Sequence, residues 1–221
     1  MKTQINLKTW PRRHNVAFFS TFKNPFITIT KSIDCTLAMQ RNNTEKTSFF
    51  SCSLYAILKA VNEIEEFKYR IDKEDKVFLF SEIHAMAVMA IGGDNGEFKI
   101  VRIPYIQDYA LFCETLKKLS NLENDEADPF EDESKHLESE TLDVVMVSAM
   151  PFLDFTSITP AQENKNGSSF PLISVGKVTQ VNNHYRMPVA ISAHHAFVDG
   201  FHIAKCFDNI EKYINEKAIS I

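Results

Sequence analysis

Short apolar runs of strand length alternate with helical stripes from one end of this 221-residue chain to the other, and that mixture leaves few architectures open. Phe26-Ile27-Thr28-Ile29-Thr30 alternates and is rich in β-branched and aromatic residues, predicting a strand within residues 26–37. Over residues 48–68, Phe50, Leu54, Ile57, Leu58, Val61 and Ile64 recur at three- and four-residue steps and share one helix face. Residues 77–80, 84–91 and 98–103 read as strands, the last two a hairpin turned by Gly92-Gly93-Asp94-Asn95-Gly96. Helical spacing returns over residues 106–122. Strands are expected again at 142–149, 171–181 and 188–193, then a closing helix from near Asp199 with Ile203, Phe207, Ile210 and Ile214 on one stripe. Late strands need a sheet to join. The expectation is one α/β domain over residues 1–221, built on a large mixed sheet.

Composition narrows the function classes. The net charge is −5 and Lys and Arg form no cluster, which argues against nucleic acid as a partner. Residues 121–140 are strongly acidic, with Lys135 the only Lys or Arg; their spacing matches no calcium loop, and they read as a solvated connection. Cys35, Cys52, Cys113 and Cys206 are scattered, without C-x-x-C or zinc spacing, as expected of buried thiols in a reduced, cytoplasmic protein. Residues 1–10 lack the apolar core of a signal peptide, and no run approaches the ~18 apolar residues of a membrane span, so no membrane partner is expected. The 18 Phe residues exceed what is usual, and suit an apolar pocket or subunit interface as well as a core.

Chemistry concentrates at His194-His195-Ala196-Phe197-Val198-Asp199-Gly200, the seam between the last strand and the last helix. An imidazole there could take and return a proton near neutral pH, since its ordinary pKa is about 6.5. If the strand continues, one histidine faces inward and the other outward. Asp199 could be simply a helix N-cap, and Gly200 could simply ease the turn. A metal site from His195, Asp199 and His202 is conceivable, but ligand motifs of that spacing rest on one helix, and this segment changes structure midway.

The run from His194 to His202 resembles the H-H-A-x-x-D-G-F-H signature of the chloramphenicol acetyltransferase family. Trp10-Pro11-Arg12-Arg13 and Ser148-Ala149-Met150-Pro151-Phe152 resemble two further segments of it. The resemblance implies a two-layer sandwich, its large mixed sheet covered by helices. It implies an O-acetyltransferase that uses acetyl-CoA as co-substrate, needs no metal and acetylates a small hydroxylated acceptor such as chloramphenicol, as in antibiotic resistance. His195 then corresponds to the general base, Ser148 to the oxyanion donor, and Asp199 to a structural aspartate paired with Arg12. Lys177 falls on the coenzyme side. Ser174 stands where relatives carry Thr, keeping a hydroxyl for water-mediated support; Phe19 replaces an acceptor-contacting Tyr, and Phe152 replaces Trp. The family is homotrimeric, with active sites between subunits. Two alternatives stay open: the same fold acting on another hydroxyl or thiol, as in dihydrolipoyl acyltransferases, and a non-catalytic CoA-binding relative.

Overall fold

The computed structural model describes residues 1–45, 48–90, 98–120, 142–162 and 169–216. Along them run β1 (Lys2–Gln4), α1 (Arg13–Phe19), β2 (Phe26–Asp34), α2 (Thr36–Glu45), α3 (Phe49–Asn62) and a 3-10 turn (Glu65–Lys68). Then come β3 (Tyr69–Ile71), β4 (Val77–Phe80), β5 (His84–Ala90), β6 (Phe98–Ile103) and α4 (Tyr109–Ser120). The last elements are β7 (Val144–Ala149), β8 (Leu172–Val175), β9 (Thr179–Val181), β10 (His184–His194) and α5 (Gly200–Asn215).

Seven strands form one mixed sheet in the order β2-β10-β8-β7-β5-β6, with β9 paired to β10. The pairs β5–β7 and β7–β8 are parallel, and the remainder antiparallel. The α/β class and the large mixed sheet are as the sequence predicts. On one face, Val145, Val147, Ile173, Val189 and Ile191 join α3, buried on nearly every side, and the buried stripe of α5 in a contiguous apolar core. Period-two alternation sends the intervening residues, Ser148, Ser174 and Ala190 among them, to the other face. A small antiparallel sheet, β1-β4-β3, was not foreseen.

Several boundaries moved for local reasons. The strand over 26–37 stops at Asp34, whose Oδ1 accepts the Thr36 N–H at 2.9 Å and starts α2. The helix over 48–68 stops at Asn62, whose side chain pairs with both backbone groups of Ile83, accepting at 2.8 Å and donating at 2.8 Å. The run 171–181 is two strands, broken at Gly176: a Cβ there would lie 2.6 Å from Pro188 Cγ and 2.7 Å from the Leu153 carbonyl. The strand over 188–193 begins earlier, because Asn182 (φ 49°) and Asn183 (φ 66°) make a two-residue turn of the kind that suits a hairpin. The 84–91/98–103 hairpin forms with Ala85 opposite Ile103. Its glycine-rich turn and the acidic stretch 121–140 lie outside the described residues. Cys35, Cys52 and Cys206 are buried thiols as expected, but Cys113 is only half-buried.

One buried charge ties the two sheets together. Arg70 of β3 is fully buried and donates to four carbonyls: Leu142 at 2.8 Å, Phe67 and Tyr69 at 2.7 Å, and Val144 at 2.6 Å.

Candidate active site

The seam segment is locked by its own backbone. The His194 carbonyl accepts from the N–H groups of both Phe197 and Val198 at 3.0 Å, and His195 N–H donates to the Pro25 carbonyl at 2.8 Å. Phe197 is buried between Trp10 (6.2 Å between ring centroids), Tyr69 (6.0 Å) and His194 (5.3 Å). The amino-terminal Trp-Pro-Arg-Arg segment thus packs directly on the histidine loop.

The strand ends at His194, and the two histidines have different surroundings. His195 is half-buried, and its Nδ1 lies 2.9 Å from the Val198 carbonyl. A carbonyl can only accept, so the neutral ring carries its proton on Nδ1 and leaves a lone pair on Nε2. Phe19 of α1 lies against this ring, centroids 4.4 Å apart. Phe18 and Phe22 complete a three-ring cluster with Phe19 at 5.0–5.3 Å, and both are exposed. Their spacing was legible in the sequence, but nothing there marked them as neighbours of His195.

His194 is buried, and its Nδ1 accepts the Ala196 N–H at 3.3 Å. Burial, with the charge of His195 adding to it, pushes its pKa down from 6.5 to about 4. The unfolded chain therefore binds this proton more tightly than the folded one. Stability is full above about pH 6.5 and is lost as pH falls toward 4, by about 3 kcal/mol. Melting temperature recorded across that window should drop less steeply for His194→Gln than for the wild type; equal slopes would refute the assignment.

Asp199 both caps a helix and meets Arg12. It caps α5, its Oδ1 accepting from Phe201 N–H at 3.0 Å and His202 N–H at 3.4 Å, while its Oδ2 meets Arg12 Nη1 at 3.4 Å. Burial raises its pKa, but His202, the two backbone N–H groups and Arg12 outweigh that and hold the carboxyl below its usual range. Arg12 also donates from Nε to the Ala196 carbonyl at 3.4 Å, so one guanidinium grips both ends of the loop.

Ser148 and Ser174 are not part of this cluster. They face each other in the β7–β8 ladder, and Ser174 faces Ala190 of β10. Ser148 is thus two strands, about 10 Å, from Ala190, and His195 lies a further five residues, about 16 Å, along the strand. Within one chain, His195 and Ser148 sit toward opposite ends of the sheet. At the Ser148 end lies an apolar cavity of about 470 Å³ lined by, among others, Phe49, Phe50, Ala149, Pro151, Val175 and Gly176. Lys177 is exposed next to it, and Phe152 is exposed as well. Among the described residues, no three His, Cys, Asp or Glu side chains are grouped to hold a metal ion. No described helix is long and apolar enough to cross a membrane.

Comparison with known proteins gives a consistent result. Residues 1–211 match the chloramphenicol acetyltransferase family model. A chloramphenicol acetyltransferase from Vibrio anguillarum is 26% identical, covering 95% of this chain and 93% of its own. Chloramphenicol acetyltransferase 3 from Escherichia coli is 24% identical, covering 97% and 98%. A solved chloramphenicol acetyltransferase structure aligns with a TM-score of 0.91 at 35% identity, covering 97% of this chain and 100% of that one. The truncated catalytic core of the 2-oxoacid dehydrogenase multienzyme complex from Thermoplasma acidophilum aligns at 0.61 and 14% identity, over 96% and 98%, a likeness of fold alone.

Proposed function

Because the chain belongs to the chloramphenicol acetyltransferase family, an acyltransferase family, we propose that it transfers the acetyl group of acetyl-CoA to a hydroxyl of chloramphenicol or a similar neutral acceptor. The observation that carries the mechanism is the Nδ1–Val198 contact, which leaves Nε2 of His195 with a lone pair. Nε2 takes the acceptor's hydroxyl proton as the oxygen attacks the thioester carbonyl. The Ser148 hydroxyl donates to the resulting oxyanion, with Ser174 in water-mediated support. Collapse breaks the C–S bond, and the proton on Nε2 passes to the leaving thiolate. Asp199 and Arg12 touch no reacting atom and hold the loop.

The cavity beside Ala149 and Val175 suits the apolar stretch of the coenzyme, with Lys177 near for its phosphates. Phe19 and its neighbouring rings suit an apolar acceptor body, and the missing tyrosine hydroxyl favours acceptors that ask for no hydrogen bond there. The separation of His195 from Ser148 supports a site assembled from two copies, as in a homotrimer. The shared apolar core supports a single domain over residues 1–221, and four free cysteines suit the cytoplasm.

Thiol release from acetyl-CoA with chloramphenicol present tests this reading. The wild type should release thiol about 10²–10⁴ times faster than His195→Ala. Equal rates at millimolar substrates would reject chloramphenicol. A panel of other hydroxylated acceptors and dihydrolipoamide then asks whether any acceptor restores the difference.

A further inference from the structure

His202 has no part in the chemistry just described, yet it is the most heavily engaged side chain around Asp199. It is the third residue of α5 and only 11% exposed. Its Nδ1 lies 2.9 Å from Asp199 Oδ1 and 3.2 Å from the Asp199 backbone N–H, the reciprocal half of a capping box. Its Nε2 lies 3.4 Å from Glu66 Oε1. Nδ1 accepts the Asp199 N–H, so the proton of the neutral ring sits on Nε2 and faces Glu66, and the imidazole bridges the seam loop and the 3-10 turn.

That turn is a firm anchor. Phe67 is fully buried, and its carbonyl is held by Arg70 at 2.7 Å. Glu65 accepts from the Tyr69 hydroxyl at 2.6 Å, and the Tyr69 ring packs on Trp10 at 4.8 Å. Glu66 consequently presents its carboxylate from a backbone that cannot easily shift.

We propose that His202, braced by Glu66, is a positioning residue for the His195 imidazole. The chain of contacts runs from the Glu66 carboxylate through His202 to the N–H of the peptide that joins Val198 to Asp199. Val198, whose carbonyl fixes the His195 tautomer, is the residue immediately before Asp199. Without His202, that N–H loses its acceptor, the peptide can tilt, and the Val198 carbonyl at its other end moves off His195 Nδ1. The ring then loses the bond that keeps the lone pair on Nε2. Neither His202 nor Glu66 touches substrate in this scheme, so the cost falls on turnover. The inference rests on the proposed role of His195 as base, but the tautomer it describes can be read without substrate.

The test is ¹⁵N NMR of the imidazoles, with His195→Ala identifying the His195 signals, alongside steady-state kinetics on His202→Ala, His202→Gln and Glu66→Ala. In the wild type, His195 should show a protonated Nδ1 and a bare Nε2; in His202→Ala the two tautomers should mix. Turnover in His202→Ala should fall about 10- to 100-fold with both KM values within about twofold, the scale of a slightly misplaced catalytic group. Glutamine at this position can still accept the Asp199 N–H, as capping boxes commonly do, and should bring turnover back to within about threefold. Glu66→Ala should fall in between. An unchanged His195 tautomer in folded His202→Ala overturns the proposal, and so does a rise in KM at constant kcat. If the wild type transfers no acetyl to any acceptor but the tautomers respond as described, the positioning role stands and the functional reading above fails.

Discussion

Co-expressed His195→Ala and Ser148→Ala chains should recover about a quarter of wild-type acetyl transfer, although each variant alone is nearly inactive. The single losses follow from chemistry: removing the base costs about 10²–10⁴-fold, and removing one oxyanion donor about 10²–10³-fold. The recovery follows from geometry. The ladder Ser148–Ser174–Ala190 puts the serine far across and along the sheet from His195, so one chain cannot bring the two together. In a closed ring each site would draw its imidazole from one copy and its serine from the next. Random mixing leaves half the imidazoles and, independently, half the serines intact, hence about a quarter of sites complete. Wild type co-expressed with the doubly substituted chain should give the same fraction. Mixed oligomers verified by native mass spectrometry, yet no faster than the two variants assayed apart, would defeat the two-copy site.

The sequence made some of this legible and hid the rest, for identifiable reasons. Apolar runs located β5, β6 and β7, and helical spacing located α4 and α5, whose buried residues form one stripe, and most of α3, which is buried on nearly every side. A buried and a more open histidine were expected of a continuing strand, but β10 ends at His194 and His195 sits in the turn that follows. The resemblance brought Arg12 to Asp199, a contact across 187 residues that no local pattern encodes. Three things could not be read. The helix over 48–68 ran too long because Phe67 lies three residues after Ile64 and continues the apolar step; what ends the helix is Asn62 pairing with Ile83, a distant partner. Helix α2 carries Leu37, Ala38 and Met39 in succession and so shows no stripe, and β1 is exposed at every residue. The distance between Ser148 and His195 depends on strand register and order, which neither periodicity nor motif spacing contains.

Arg70 was equally invisible, since between Tyr69 and Ile71 it reads as a polar interruption. Its replacement should have the largest effect on stability of any single change considered. Burial pushes the guanidinium down to about 9, with the nearby Asp143 charge opposing, so at neutral pH it remains a cation. It has no carboxylate in hydrogen-bond reach among the described residues; four carbonyl dipoles solvate it instead. Hydrogen bonds from a charged donor are worth about 1.5–3 kcal/mol each, and a buried carbonyl stripped of its donor costs about 1–3 kcal/mol. Against that, Arg70→Met relieves the cost of burying a charge, a relief of several kcal/mol. The remainder should be about 3–5 kcal/mol of lost stability, or roughly 6–20 °C in melting temperature for a chain of this length. Arg70→Lys keeps the charge but replaces a planar fork with a single ammonium, which cannot reach acceptors on both β3 and the start of β7 at once. It should therefore melt well below the wild type too. A melting temperature for Arg70→Met within about 2 °C of the wild type would mean that the two sheets are held together by apolar packing alone and that the guanidinium contributes nothing net.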